Sequence, residues 1–111
     1  MSLPNLFPAL DSGTVNGVTC TREGDSYTVD GTPTAWGGIY KKTTLPAGYY
    51  RLTQSGADKP SARCILPDAT QYSATSGFTL TEPMECILQL TLNPSETYTN
   101  ATVTPYLRRI S

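Results

Sequence analysis

The side chains that could carry acid–base chemistry in this chain are carboxylates, because the sequence contains no histidine. Histidine is the commonest general base and metal ligand. A glycosidase needs two carboxylates that face each other across the scissile bond, and the candidates are Glu23, Asp25, Glu82 and Glu85. All four lie in predicted turns that contain Gly or Pro, so we interpret them as solvated loop residues. The sequence therefore predicts no catalytic residue and no enzyme.

Other catalytic and cofactor signatures are missing as well. No serine lies in a GxSxG elbow, and no GxxxxGK[ST] phosphate loop occurs. Asp25 and Asp30 could suggest calcium, but a loop of the DxDxDG kind is missing. We expect no metal and no cofactor.

Three cysteines, Cys20, Cys64 and Cys86, cannot all pair within the chain. None has CxxC spacing, and without histidine a zinc site would need a carboxylate or a partner chain. We interpret them as buried thiols that behave as small hydrophobic side chains. The alternative is a Cys64–Cys86 disulfide.

Aromatic side chains give the one functional indication. The candidates for exposure are Trp36, Tyr40, Tyr49, Tyr72 and Tyr98, whereas the expected core rings are Tyr27, Tyr50 and Phe78. Exposed rings can stack on sugars, and Arg51 or Gln54 could bind the hydroxyls. The predicted carbohydrate-binding residues are Trp36, Tyr40, Tyr49 and Arg51. The alternative is that Trp36, beside Gly37 and Gly38, closes one end of the fold.

Strands are the elements expected to position these residues. The 111 residues suit one domain. Charged residues are only 15%, and β-branched and aromatic side chains favour a pleated sheet. The nine prolines and nine glycines divide the chain at intervals typical of a sandwich or barrel. We predict an all-β, antiparallel β-sandwich, jelly-roll-like, with about eight or nine strands.

Alternation of apolar and polar residues places these strands along the chain. A hairpin is expected from residues 18–21 and 26–29, joined by a turn at 23–25. Further strands are predicted at 39–44, 49–53, 62–66, 78–81, 86–92 and 99–107. Trp36-Gly37-Gly38 should interrupt the chain with a bulge or bend, and residues 54–60 should form a surface loop.

Residues 1–16 are predicted to be an extended N-terminal arm, followed by a single β-sandwich domain at 17–111. Prolines and a glycine within 4–16 disfavour a helix, and Leu6, Phe7 and Leu10 should pack the arm onto the sandwich. The opening Met1-Ser2-Leu3 is typical of sequence left by expression cloning. We expect the chain to be a segment of a longer protein.

Charge and hydropathy argue against two classes of partner. The net charge is −1, and the basic pairs Lys41-Lys42 and Arg108-Arg109 are too short to form the patch that nucleic-acid binding needs. No apolar run of about 18 residues occurs, and no signal-peptide pattern occurs. We predict no nucleic-acid partner and no membrane partner.

Residues 17–35, GVTCTREGDSYTVDGTPTA, carry a resemblance to a known family. With Asn16 they resemble the motif NGITFTxNGDGTITVNGTATA of tail, baseplate and fibre-associated proteins of phages and prophages of Gram-positive bacteria. Further matches follow in the same order: LPAGYYRL at 45–52, FTLTE at 78–82 and TVTPYL at 102–107. The opening Asn5-Leu6-Phe7 resembles the family's NLL. Cys20 departs from the usual aromatic, and residues 54–76 have no counterpart.

The resemblance implies a jelly-roll module similar to carbohydrate-binding modules. It predicts a non-catalytic structural or adhesion domain of a phage or prophage virion protein. The implied partners are other virion subunits, the rest of a parent chain and host cell-surface glycans, with a homo-oligomer as the state usual for tail parts. The implied location is the virion, or the bacterial cytoplasm during expression from a prophage. The alternative function is a carbohydrate-binding module for bacterial cell-surface polysaccharide. No site residue transfers from the family.

Overall fold

Along the strands of this chain buried and exposed side chains alternate, as in any sheet that has one face in a core. The computed structural model describes residues 4–111, so the prediction for Met1-Ser2-Leu3 lies outside the described residues. Within that range ten strands form and no helix. The strands are β1 (Gly13–Val15), β2 (Val18–Glu23), β3 (Ser26–Gly31), β4 (Gly37–Leu45), β5 (Gly48–Gly56), β6 (Ser61–Ile65), β7 (Gln71–Ser73), β8 (Ser76–Leu80), β9 (Met84–Leu92) and β10 (Tyr98–Arg109).

The strands pair into a six-stranded sheet, β1-β2-β3-β10-β5-β8, and a four-stranded sheet, β4-β9-β6-β7, in which every pairing is antiparallel. Of the eight strands from β3 to β10, four lie in each sheet, and their order is that of a jelly roll. The β1–β2 hairpin extends the larger sheet beside β3. The predicted antiparallel jelly-roll sandwich is confirmed. The count of eight or nine strands was low, because β1 and β7 have three residues each, too few for alternation to be recognised.

The core lies between the two sheets. On β9 the side chains of Cys86, Leu88, Leu90 and Leu92 are all 0% exposed, which confirms the predicted core strand. They meet buried residues of the six-stranded sheet, among them Tyr50. The hydroxyl of that buried ring donates to Pro46 O at 2.6 Å, so burial leaves no polar atom without a partner there.

Two tight hairpins begin the larger sheet. The predicted β2–β3 hairpin is confirmed, and Gly24 has the positive φ (64°) that the first position of a type II′ turn needs. A second hairpin precedes it, in which Asn16 (φ 51°) and Gly17 (φ 83°) join β1 to β2 in a type I′ turn. The sequence prediction placed β1 in the arm, although an Asn-Gly pair is a strong hairpin signal.

Two local predictions were right only in part. A bend does include Trp36, at residues 34–36, but Gly37 and Gly38 begin β4, in continuous register with Leu92 and Thr91. Residues 54–60 are not wholly a loop, because β5 continues to Gly56. Pairing with β10, far away in sequence, supplies the hydrogen bonds that local composition did not predict.

The three cysteines are buried and free. This confirms the interpretation as small hydrophobic side chains, and the alternative Cys64–Cys86 disulfide is wrong. Cys64 pairs with Leu88, which places it one pleat away from Cys86 on the same inner face. Cys86 Sγ donates to Met84 O at 3.7 Å, and burial raises the pKa of both thiols.

Candidate functional site

The four residues predicted to bind carbohydrate lie on opposite faces of the sandwich. Tyr40 points outward from the four-stranded sheet, and Trp36 precedes β4 on the same side; they are 58% and 60% exposed. Tyr49 and Arg51 point outward from the six-stranded sheet, because the residues that alternate with them are buried. The structure therefore brings the predicted residues together only in pairs. The alternative in which Trp36 closes one end of the fold is wrong.

Of two other tyrosines expected at the surface, Tyr98 belongs to the core and Tyr72 is half-buried against it. Tyr98 is 4% exposed, and its hydroxyl accepts a hydrogen bond from Asn93 N at 3.0 Å. The ring of Tyr72 stacks on Phe78 with centroids 4.7 Å apart. The rings predicted to be buried, Tyr27, Tyr50 and Phe78, are buried.

Strand pairing in the four-stranded sheet forms ordered rows of side chains on its outer face. One row runs Tyr40, Gln89, Arg63, Ser73 across four strands, and the next runs Gly38, Thr91, Ser61. Trp36 stands beside these rows and lines a cavity of about 380 Å³. We call this cavity the Trp36 cleft, and its lining residues are Trp36, Gly37, Arg63, Gln71, Gln89 and Thr91.

Hydrogen bonds orient the polar side chains of the Trp36 cleft. Arg63 Nη1 donates to Gln71 Oε1 at 2.8 Å, and Thr91 Oγ1 donates to Gln89 Oε1 at 3.0 Å. Arg63 Nε is buried and has no hydrogen-bond partner among residues 4–111. Each amide oxygen keeps a second lone pair, and the amide and guanidinium N–H groups add donors, so the cleft offers a ligand both acceptors and donors.

The β1–β2 turn holds the segment that carries Trp36. Asn16 Nδ2 donates to Ala35 O at 3.2 Å and to Trp36 O at 3.3 Å. Thr34 N donates back to Asn16 O at 3.0 Å. The type I′ turn thus positions the only tryptophan of the chain at the edge of the cleft.

The other end of the same face combines apolar side chains with the charged residues Lys42, Asp68, Glu82 and Glu85. Ile65 pairs directly with Ile87, and both point outward beside Lys42. Two shallow cavities, of about 220 Å³ and 360 Å³, lie there. Their apolar lining residues are Ile65, Leu66, Pro67, Pro83, Met84 and Ile87.

The outer face of the six-stranded sheet is a hydroxyl surface. Ser26 Oγ and Thr104 Oγ1 are 2.7 Å apart, and Thr28 Oγ1 and Thr102 Oγ1 are 3.3 Å apart. Arg108 lies 4.7 Å from the ring centroid of Tyr106 in a cation–π contact. Many polar groups on the face that carries Tyr49 and Arg51 are therefore paired with each other.

The carboxylates form no cluster suited to a metal. Within residues 4–111, no three or more His, Cys, Asp or Glu side chains come together as a possible metal site. Asp30 Oδ1 accepts from Asn100 N at 3.1 Å, a structural role. Glu85, expected in a turn, lies on β9. No helix in the described residues has the length and apolarity to cross a membrane.

Sequence reasoning missed Asn16, Arg63, Gln71 and Gln89 as parts of this site. They come from four separate parts of the chain and meet only through strand pairing. The local signal was modest: Arg63 and Gln89 are the polar members of alternating strands.

No family model, no curated protein and no solved structure matches this chain.

Proposed function

We propose that this chain is a non-catalytic adhesion and structural domain of a phage or prophage virion protein, in a tail, baseplate or fibre. The motifs that resemble this family occupy the turns and strands of the sandwich. Asn16-Gly17 and Gly24-Asp25 form the first two hairpin turns, and the last motif lies on β10. The sequence resemblance and the fold are therefore mutually consistent.

The observation that carries the adhesion role is the pair of exposed rings on one sheet face. Trp36 and Tyr40 are 60% and 58% exposed, whereas the other large aromatic rings are buried or half-buried. Large exposed apolar side chains that share one face often mark a binding surface. Aromatic rings beside amide and guanidinium groups suit sugars, which have an apolar ring face and polar edges. This favours the second candidate, a carbohydrate-binding module for bacterial cell-surface polysaccharide.

A structural role is supported by apolar side chains at the other end of the same face. Ile65 and Ile87 form an outward-facing pair, and apolar contact with a neighbouring subunit would remove them from water. Adhesion and packing are compatible, because the Trp36 cleft and the apolar pair lie at different ends of the sheet.

The test of adhesion is binding of the purified protein to cell walls of the host bacterium. We expect saturable binding that Trp36→Ala weakens by about tenfold or more, equivalent to about 1.4 kcal/mol. Arg22→Gln, at an exposed position of β2 in the six-stranded sheet, is the matched control and should bind like the wild type. If the wild-type protein fails to bind at high micromolar concentration, the adhesion role is rejected.

The virion assignment has a separate test. Particles released after prophage induction are purified and their proteins are identified by mass spectrometry. The proposal expects peptides of this chain in the particles at a stoichiometric level. Their absence from intact particles would reject the virion role even if the protein binds cell walls.

A further inference from the structure

We infer that the Trp36 cleft selects an acidic glycan, with a sugar ring stacked on Trp36 and a carboxylate or phosphate group bound by Arg63. This inference deepens the carbohydrate-binding proposal and rests on it. Neither the sequence motifs nor the predicted aromatic residues point to the charge of the ligand.

The hydrogen-bonding character of the cleft carries the inference. The two amide oxygens accept from inside the protein, Gln71 Oε1 from Arg63 and Gln89 Oε1 from Thr91. The amide nitrogens of these glutamines and the guanidinium group can only donate. A neutral sugar hydroxyl both donates and accepts, whereas a carboxylate or phosphate only accepts. The second lone pairs of the amide oxygens suit sugar hydroxyls, whereas the guanidinium group of Arg63 is matched best by an anionic group.

The side chain of Arg63 is held in a fixed orientation at the cleft. Its Nη1 bond to Gln71 orients the guanidinium plane, and its buried Nε lacks a partner among the described residues. An atom so fully buried is out of reach of a ligand, so the donors that Arg63 can offer to the cleft are the terminal nitrogens of its guanidinium group. Arginine binds carboxylate and phosphate through charge-assisted hydrogen bonds from this group.

Charge around the cleft leaves Arg63 free to bind an anion. The neighbouring cavity, of about 90 Å³, contains Glu96. That carboxylate already forms an ion pair with Lys59 Nζ. The two cavities share Trp36 and Arg63 and therefore flank the ring with a cationic environment.

The spacing of the rows favours an oligosaccharide. Tyr40, Gln89 and Arg63 lie on three neighbouring strands, and adjacent strands are about 4.8 Å apart. The row from Tyr40 to Arg63 therefore spans roughly 10 Å, which is longer than a single sugar ring. Trp36 and Tyr40 can then contact different sugars of one chain.

The experiment uses Trp36 as its own probe, since it is the only tryptophan of the chain. The protein is titrated with uronic-acid polysaccharides and with teichoic acids while the emission of Trp36 is recorded. The uronic-acid polysaccharide is paired with its carboxyl-reduced form, and the repeat unit of the teichoic acid is compared with and without its phosphate group. We expect acidic forms to bind about tenfold more tightly at low salt, and the preference to shrink as salt is added. The two acidic classes distinguish a carboxylate from a phosphate ligand.

Variants separate this inference from the carbohydrate-binding proposal. Arg63→Gln should remove the preference for acidic forms and leave binding to neutral forms, whereas Arg22→Gln, at an exposed position of β2 in the other sheet, should change neither. Arg63→Lys keeps the positive charge but loses the planar guanidinium group and its paired hydrogen bonds. It serves as the second variant if Arg63→Gln fails to fold. Equal binding of acidic and neutral forms by the wild type would overturn this inference and keep the carbohydrate-binding proposal. No change in Trp36 emission with any glycan at millimolar concentration would overturn both.

Discussion

Asn5 and Leu107 lie 102 residues apart in sequence, and a hydrogen bond joins them: Leu107 N donates to Asn5 Oδ1 at 3.0 Å. Asn5 Nδ2 also donates to Pro105 O at 3.0 Å, and Leu6 N donates to Leu107 O at 2.7 Å. Strand β3 pairs with β10 only as far as Val103. The N-terminal segment thus takes the place of β3 along the last part of β10.

The same arrangement explains a proline in a central strand. Pro105 cannot donate a backbone hydrogen bond, and its carbonyl points toward Asn5 and away from β5. The missing N–H therefore falls on the side where β3 has already ended. No ladder bond is lost there, which is the condition under which a strand tolerates proline.

Asn5→Ala should lower the free energy of unfolding by about 1–3 kcal/mol, because it leaves two half-buried backbone groups of β10 without partners. Chemical denaturation measures this change. Asn5→Asp keeps an acceptor for Leu107 N, so it should lower the free energy of unfolding less than Asn5→Ala does. Asp11→Ala, at an exposed position of the same segment, is the matched control. An Asn5→Ala variant as stable as the wild type would contradict this role.

Trp36→Ala should change the unfolding free energy by no more than about 0.5 kcal/mol, because the ring is largely exposed. Leu90→Ala, in contrast, removes a fully buried side chain and should cost about 2–5 kcal/mol. Quenching of Trp36 emission by acrylamide gives an independent check. A ring that the quencher cannot reach would show that Trp36 is covered.

Asn16 is expected to act as a positioning residue for Trp36. Asn16→Gly keeps the positive φ of the turn and removes the two hydrogen bonds to the backbone of residues 35 and 36. We expect glycan affinity to fall several-fold and the fluorescence anisotropy of Trp36 to decrease, with little loss of stability. Unchanged anisotropy would mean that the side chain of Asn16 does not hold this segment.

Gly38→Ala should destabilise the protein, because a Cβ at this position would collide with the backbone oxygen of Leu90. The strand would have to move to admit a methyl group, at a cost of about 1–3 kcal/mol. Gly13→Ala is the matched control, since nothing lies within 4 Å of a Cβ at that strand position. Equal thermal stability of the two variants would contradict the close approach of β4 to β9.

Stability should decrease in alkaline solution. Burial raises the pKa of the Cys20, Cys64 and Cys86 thiols above 9.0. Above pH 9 the unfolded chain loses protons that the folded chain keeps, so the unfolding free energy falls with rising pH. The slope from each thiol approaches about 1.4 kcal/mol per pH unit. Tyr27 and Tyr50, whose pKa values are also raised by burial, extend the decrease above pH 10.

Urea denaturation at pH 8, 9 and 10 measures this slope. A variant with all three cysteines replaced by alanine should have a flatter dependence between pH 9 and 10. In the wild type, none of the thiols should react with a thiol reagent before denaturation. Equal stability of the wild type at pH 8 and pH 10 would contradict the assigned burial.

Local sequence determined where most of the longer strands lie and which side of each is buried. In β9 the order Cys86, Leu88, Leu90, Leu92 was sufficient, because side chains of a strand alternate between two faces whatever its partners are. The β2–β3 hairpin was equally predictable, because Gly24 permits the required turn.

Only the tertiary structure decided which strands meet and which outward faces coincide. Tyr40 and Tyr49 are both exposed in the local pattern, but the short connection between β4 and β5 passes from one sheet to the other and sends them to opposite sides. Arg63 reaches the Trp36 cleft only because β6 pairs with β9 and β9 with β4. Side-chain alternation is a property of a few neighbouring residues, whereas pairing depends on burying the apolar faces of all the strands together.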